Sequence, residues 1–356
     1  MERIVVLGLG KVGTLAGELL HAAGFTVTGI DVRKKSVELP YETRTLDLSE
    51  PAQVASELQS ADAVLSCLPY HLNIGVAQIA HAAGIHYFDL TEDVPTTKAI
   101  MELSKTARGL MAPQCGLAPG FVGIVGADLI GQFAECRACK MRVGALPQHP
   151  TGLMGYSFNW SPEGVVNEYL NDCEVLEEGE IKSVSPMEWI EKLYIDGTEL
   201  EAFTTSGGLG TMCETYLGRV PNMDYKTMRY PGHVTLMNFF FHELLMRDRR
   251  AEAGEILVNA KPPVNDDIVY VHVSAEGIVE GRLARREFVR GYKPIILAGR
   301  QRTAIAWTTA SSVVGIIEMV RNGTLPGAGF LKQEEVPLAA FLATRTGSAY
   351  AEHGAF

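Results

Sequence analysis

The sequence is short of basic residues, of cysteine and of long apolar runs, and each shortage closes off a class of protein. It carries 31 lysines and arginines against 42 aspartates and glutamates, a net charge of −11. A nucleic-acid binder displays a basic stripe, so no nucleic-acid partner is expected. Small substrates stay open, because a local basic site fits within an acidic chain. Six cysteines in 356 residues do not make a disulfide framework. Cys136 and Cys139 have the spacing of half a zinc site, but no second C-x-x-C or H-x-x-x-H pair accompanies them, and no metal is expected. Free thiols fit a reducing, cytoplasmic setting. No uninterrupted apolar span reaches membrane length, so no membrane partner is expected. The first apolar run starts at Ile4, too early to leave room for a signal peptide. Repeats and low-complexity linkers are absent too.

What the sequence does have begins at once. Ile4 to Leu7 is a short apolar run, the right length for a buried parallel strand. Gly8, Gly10 and Gly13 follow at G-x-G-x-x-G spacing, enclosing Lys11 and Val12, and Thr14 to Leu20 reads as a helix. The spacing allows a tight turn, a close approach to a pyrophosphate and close packing of helix on strand. The free N–H groups of that helix then face the phosphates. Alone, three glycines are a weak signal, and a structural turn in another α/β fold is the bland alternative. A second strand, Phe25 to Ile30, strengthens the reading because it ends at Asp31, where an acid reads the adenosine ribose. Val32 completes that cofactor set. Arg33 and Lys34 suit a 2′-phosphate, but the Asp31 carboxylate repels one, so NAD is the cofactor expected.

Further strands are expected at Thr43–Leu46 and Ala63–Pro69, and His86–Asp93 and Gly109–Gly116 each read as a strand running into a polar end. Their alternation with helices makes an α/β, doubly wound parallel sheet of the Rossmann type. Cys67, Leu68, Pro69, Leu90 and Thr91 sit at carboxyl ends of these strands, where such folds hold ligands, and Tyr70 and His71 lie just beyond. After Cys139 the texture changes. Strands are expected at Lys140–Leu146, Tyr156–Trp160, Ile268–Val273 and Glu287–Val289, and helices at Val165–Leu170, Val234–Met246 and Thr303–Met319. This describes an α+β substrate domain with a mostly antiparallel sheet. The division expected is 1–121 for the nucleotide domain, 122–302 for the substrate domain and 303–356 for a helical segment returning to the first.

Three polar stretches stand out in the second region: Tyr156 to Gly164, Glu201 to Thr211 and Asp224 to His233. Serine, threonine and glycine clusters expose donors that suit a carboxylate, and arginine offers the same group a two-pronged fork. Tyr156 and Trp160, then Thr205, Ser206 and Gly207, then Arg229 form the expected amino-acid site. Ordinary solvated turns are the competing explanation.

Together with Gly8–Gly13, Tyr87–Asp93, Pro113–Gly120 and Arg142–Pro147, these stretches resemble the saccharopine dehydrogenase-like superfamily across essentially the whole chain. The T-S-G-G run paired with R-Y-P-G-H is similar to its lysine-oxidising members. The resemblance implies NAD-dependent oxidation of L-lysine at the ε-carbon. The products would be ammonia and 2-aminoadipate 6-semialdehyde, which cyclises to a piperideine carboxylate. An ammonium with a pKa of about 10.4 must lose its proton before hydride can leave, so a carboxylate or imidazole is needed. Asp93 is the first candidate, followed by Glu92 and His233, with Glu163 and Glu201 also in reach of the argument. A homodimer or higher homo-oligomer is expected. The rival readings are a saccharopine-type dehydrogenase acting on a secondary amine and a non-catalytic NAD-binding redox sensor. The first needs more basic residues than Lys226, Arg229 and Arg302, and the second needs no amino-acid site.

Overall fold

Short runs, mostly apolar and buried on both faces except at the edge strand, build the first sheet. In the computed structural model, which describes residues 1–355, they are β1 (Arg3–Leu7), β2 (Thr26–Asp31), β3 (Glu42–Thr45), β4 (Ala63–Ser66), β5 (His86–Asp89) and β6 (Leu110–Ala112). They lie in the order β3-β2-β1-β4-β5-β6, extended beyond β6 by Gly329–Phe330, and every pairing is parallel. Helices α1 (Lys11–Ala22), α2 (Pro51–Leu58), α3 (Tyr70–Ala83) and α4 (Val94–Ser104) make the crossovers. Strand order reverses between β1 and β4, which is where a doubly wound sheet opens a crevice. The β3 residues are all exposed, as the edge position allows.

The chain forms two compact units: residues 1–124, 296–300 and 306–352, and residues 125–295, 301–305 and the chain's end from 353. Helix α5 (Phe121–Gly131) carries the chain from the first to the second. The second unit holds β7 (Glu135–Pro147), α6 (Pro162–Leu170), β8 (Cys173–Glu177), β9 (Glu180–Val184), β10 (Glu191–Ile195) and β11 (Thr198–Thr204). It continues with α7 (Met212–Tyr216), β12 (Asn222–Arg229), α8 (His233–Asn238), α9 (Arg250–Ala260), β13 (Asp267–Val279) and β14 (Arg282–Tyr292). Its sheet runs β10-β11-β12-β7-β13-β14, with Gly354–Ala355 beside β14 and with β8 and β9 attached to β12. Only the β7–β12 pairing within it is parallel among the described residues. The expected fold class, a Rossmann-type sheet plus an α+β unit with a mostly antiparallel sheet, is the one found. Among the described residues no helix is long and apolar enough to cross a membrane.

Two local expectations fail. Tyr156–Trp160 alternates like a strand but joins no ladder. The segment is tied instead to the end of α9 and beyond, through Phe158 N–H to the Lys261 carbonyl (3.0 Å) and Val264 N–H to the Asn159 side chain (2.7 Å). The alternating aromatics reported burial, and a core can bury a segment without pairing it. The helix expected over 234–246 is interrupted. Val234, Met237 and Phe241 keep a helical stripe, but the next buried residue is Met246, five positions on. A widened turn at Phe239–Glu243 absorbs the extra residue, closing with Leu244 N–H on the Phe239 carbonyl at 3.0 Å.

A buried ionic cluster ties β7 to β10 and β12. Arg142 pairs with Glu191 and places its other arm 2.7 Å from the Asp224 carboxylate. Lys226, its register partner on β12, reaches Glu191 at 3.1 Å. Burial drives the Lys226 pKa down, while Arg142 and Lys226 hold Glu191 low against its own burial. Replacing Arg142 by Met leaves two carboxylates facing one lysine. The expected loss is roughly 2–3 kcal/mol, at the low end for buried pairs because Glu191 keeps 34% of its side chain exposed. A urea midpoint unmoved by Arg142→Met would contradict this role.

Candidate functional site

Within the first unit the glycine turn has the shape that its spacing demands. Gly8 stands at φ +85°, and a Cβ there would lie 2.7 Å from the Cys67 carbonyl oxygen. At Gly13 a Cβ would come within 1.9 Å of the Gly8 oxygen, so α1 can meet β1 only without one. Gly10 faces open space, with nothing within 4 Å of an added Cβ. Helix α1 begins there with no side-chain cap and no acid in its first turn. Its positive end and free N–H groups are left for an anion, and a dinucleotide pyrophosphate fits that donor set. Lys11 and Val12 supply two residues of that first turn.

Asp31 ends β2 and accepts from Leu9 N–H (2.8 Å) and Arg33 N–H (2.9 Å). Lys35 pairs with it at 3.1 Å and also donates to the Leu9 carbonyl. Burial works to raise the Asp31 pKa, but these donors outweigh it and hold the carboxylate below its usual range. The basic residue beside this acid is therefore Lys35, not Arg33 or Lys34; its only sequence signal is the i, i+4 spacing. Val32 is exposed beside it.

At the carboxyl ends of β4 and β5, Cys67 N–H bonds the Leu7 carbonyl (2.8 Å), and Leu68 and Pro69 lead into α3. Tyr70 and His71 are the first two residues of that helix. Leu90, Thr91, Glu92 and Asp93 make the loop after β5. Asp93 is the N-cap of α4: its Oδ2 accepts from Thr96 N–H (2.9 Å) and Thr96 Oγ1 (2.6 Å), while Thr91 Oγ1 accepts from Asp93 N–H (3.1 Å). One carboxylate oxygen of Asp93 is thus committed to the helix. Sequence reasoning passed over Asp89, the residue that organises this edge. It is fully buried, and its carboxylate accepts from Tyr87 Oη (2.7 Å), Thr91 N–H (3.0 Å) and Gln114 N–H (2.9 Å). Burial pushes its pKa up to about 6.

The second unit gathers part of the expected amino-acid site around Arg229, which is 3% exposed. Its Nε donates to Tyr169 Oη (2.8 Å), one terminal nitrogen to the Met228 carbonyl (2.8 Å) and the other toward Tyr156 Oη (3.5 Å). The guanidinium also lies over the Tyr156 ring at 4.5 Å. Trp160 makes a side-chain hydrogen bond with Tyr156. A guanidinium has five N–H groups, and these three bonds leave two of them over. The buried Glu168 carboxylate adds to the stabilisation of this cation. Tyr169 was not foreseen; it lies 60 residues from Arg229 on α6.

His233 belongs to this cage but not as a proton acceptor. One ring nitrogen, Nδ1, lies 3.1 Å from the Met154 carbonyl, which can only accept, so Nδ1 carries the hydrogen. Nε2 then accepts from Tyr169 Oη at 3.0 Å. Hydrogen bonds thus run one way, from Arg229 through Tyr169 to His233 and on to Met154. Both nitrogens are engaged, and burial followed by the nearby Arg229 cation pushes the His233 pKa down to about 3. The serine and threonine stretch makes internal bonds. Ser206 donates its hydroxyl to the Asp172 carbonyl (2.9 Å) and its N–H to the Glu168 carbonyl (3.0 Å). Thr205 donates to Thr227 (3.1 Å), and Gly207 only turns the chain beyond them. Glu201 accepts from Gly232 N–H (2.9 Å) and Val234 N–H (2.7 Å) at the head of α8, and Glu163 is exposed in the first turn of α6.

The depressed His233 pKa gives a signed expectation. The folded protein holds this ring neutral, so its contribution is fully present above the unfolded pKa of about 6.5. It is lost as pH falls toward the folded value of about 3. The stability difference between wild type and His233→Gln should therefore shrink by about 1.4 kcal/mol per pH unit below 6.5. Urea unfolding of both proteins from pH 7 to 4 measures it; a constant difference would mean the ring protonates in place.

Comparison with known proteins covers both units. The model of the saccharopine dehydrogenase NADP binding domain matches residues 4–112, and that of the saccharopine dehydrogenase C-terminal domain matches residues 116–345. Mitochondrial alpha-aminoadipic semialdehyde synthase of Mus musculus is 24% identical over 67% of this chain and 28% of its own length. The L-glutamate-forming, NADP(+) saccharopine dehydrogenase of Pyricularia oryzae is 23% identical over 52% of this chain and 44% of its length. This chain thus spans less than half the length of either relative. The apo saccharopine dehydrogenase (L-Glu forming) structure from Saccharomyces cerevisiae has the same fold, with a TM-score of 0.75 at 15% identity over 100% of this chain and 99% of that one.

Proposed function

We propose, from the premise that this chain belongs to the saccharopine dehydrogenase family, that it is an NAD-dependent dehydrogenase oxidising L-lysine at its ε-carbon. The observation that carries the substrate is Arg229. A buried cation held by two tyrosines and a backbone carbonyl, with two N–H groups to spare, is made for a carboxylate from outside the protein. With the α-carboxylate fixed there, the reacting end of lysine is the far amine, four methylenes away. The product, 2-aminoadipate 6-semialdehyde, is also the compound after which the Mus musculus relative is named.

Bound at the glycine turn, NAD supplies the hydride acceptor. The chain's own residues have three tasks. The N-terminus of α1 and Gly10 take the pyrophosphate. Asp31 reads the ribose hydroxyls, and its charge disfavours a 2′-phosphate, which supports NAD although the family's nucleotide domain is named for NADP. A carboxylate after β5 takes the ε-ammonium proton; Asp93 Oδ1, the oxygen not used by Thr96, is the first choice, with Glu92 beside it.

Four measurements test this reading. Absorbance at 340 nm should rise with NAD and lysine, and not with NAD and saccharopine or NAD alone. Lysine labelled with nitrogen-15 at the ε position should release labelled ammonia; a label kept in the cyclised product would reverse the orientation. Arg229→Ala should raise KM for lysine by the equivalent of roughly 2–4 kcal/mol, with NAD affinity barely changed. Normal lysine kinetics in that variant, if folded, would remove Arg229 from the site. Asp31→Ser should weaken NAD and improve NADP, and an unchanged ratio would refute the ribose assignment.

A further inference from the structure

A buried carboxylate ordinarily faces a cation, because neutral donors alone repay its lost hydration poorly. Asp267 and Glu201 escape that pattern by capping helix starts, but Asp89 escapes it without one. Its three donors, Tyr87 Oη and the N–H groups of Thr91 and Gln114, are all neutral, and no ion pair reaches it among the described residues. Its own carbonyl accepts Cys115 N–H at 2.9 Å, so Asp89 binds the loops after β5 and β6 by side chain and backbone together.

Hydrogen bonding alone does not call for an acid at this position. An asparagine oxygen could accept both N–H groups, and its amide nitrogen could donate to Tyr87. The tyrosine hydroxyl would then serve the Asn73 carbonyl, already 3.3 Å away. What an aspartate adds is charge, at the carboxyl ends of parallel strands where a doubly wound sheet holds its ligand. A fixed charge at such depth is poorly screened by water.

We propose that Asp89 is a positioning residue whose negative charge biases the nucleotide site toward the oxidised, cationic nicotinamide over the neutral reduced one. This rests on the NAD reading above. The groups facing Asp89 are Tyr87 on β5, Cys67 after β4 and Cys115 after β6. Burial pushes all three upward, Cys67 to about 12, so they stay uncharged while Asp89 titrates near 6. Affinity for NAD+ should accordingly rise with pH through that region and level off, while affinity for NADH stays flat.

Calorimetric titration of the full chain with NAD+ and with NADH, separately and between pH 5 and 8, reads this out without turnover. At pH 8, Asp89→Asn should weaken NAD+ on the order of threefold to tenfold and change NADH by less than about twofold. Wild type at pH 5 should approach the variant's ratio of the two affinities, which also serves as the test should the variant not fold. Equal weakening of both forms would make Asp89 a strut only and overturn the proposal, as would no change in either. A wild-type chain that binds neither form would instead remove the dinucleotide reading on which the proposal stands.

Discussion

One missing methyl group decides whether the first unit can form. A Cβ on Gly13 would sit 1.9 Å from the Gly8 carbonyl oxygen, so the helix can approach the strand only because that atom does not exist. The same approach brings the uncapped start of α1 over the turn, where its N–H groups point outward. Strand order then reverses between β1 and β4, leaving those groups beside the crevice rather than under a crossover. The anion-binding end of the nucleotide unit follows from this contact. A larger residue there would separate strand from helix before it altered any ligand-facing atom.

How much of this was legible depended on sequence distance. The glycine turn and the Asp31 carboxylate are local features, and spacing alone outlined them. The strands of the first sheet and the cores of β7, β13 and β14 were legible from run length and alternation, but β8 to β12 were not, because their polar residues read as loops, and Tyr156–Trp160 alternated for burial without a ladder. The stripe from Val234 to Phe241 gave no warning of the five-residue step to Met246, because a periodic pattern does not announce where one turn widens. In the substrate unit Arg229 stood out as a residue type, yet its cage did not, since Tyr169 lies 60 positions away. Asp89 was hidden for the same reason: it reads as the last residue of a strand, and Gln114, which gives it meaning, comes 25 residues later.

Two buried charges of opposite sign, one in each unit, are held by neutral groups. Asp89 rests on a hydroxyl and two amide N–H groups; Arg229 rests on a carbonyl and two tyrosines. Each is costly to the fold, and the His233 pKa shows the cost spreading to a neighbour. Ion pairs elsewhere, such as Arg142 with Glu191 and Asp224, show that the chain can supply a counter-charge where structure alone is at stake.

The one-way run of hydrogen bonds from Arg229 through Tyr169 to His233 also constrains how this chain can change over time. Replacing Tyr169 by phenylalanine removes an acceptor from one neighbour and a donor from the other in a single step. Replacing His233 strands the tyrosine hydroxyl and the Met154 carbonyl together. Each position is therefore expensive to alter alone and cheap to alter only in company. Across a set of descendants, residues 169, 229 and 233 should travel as one inherited block, changing together or not at all, while the Thr205–Thr227 pair drifts independently of them.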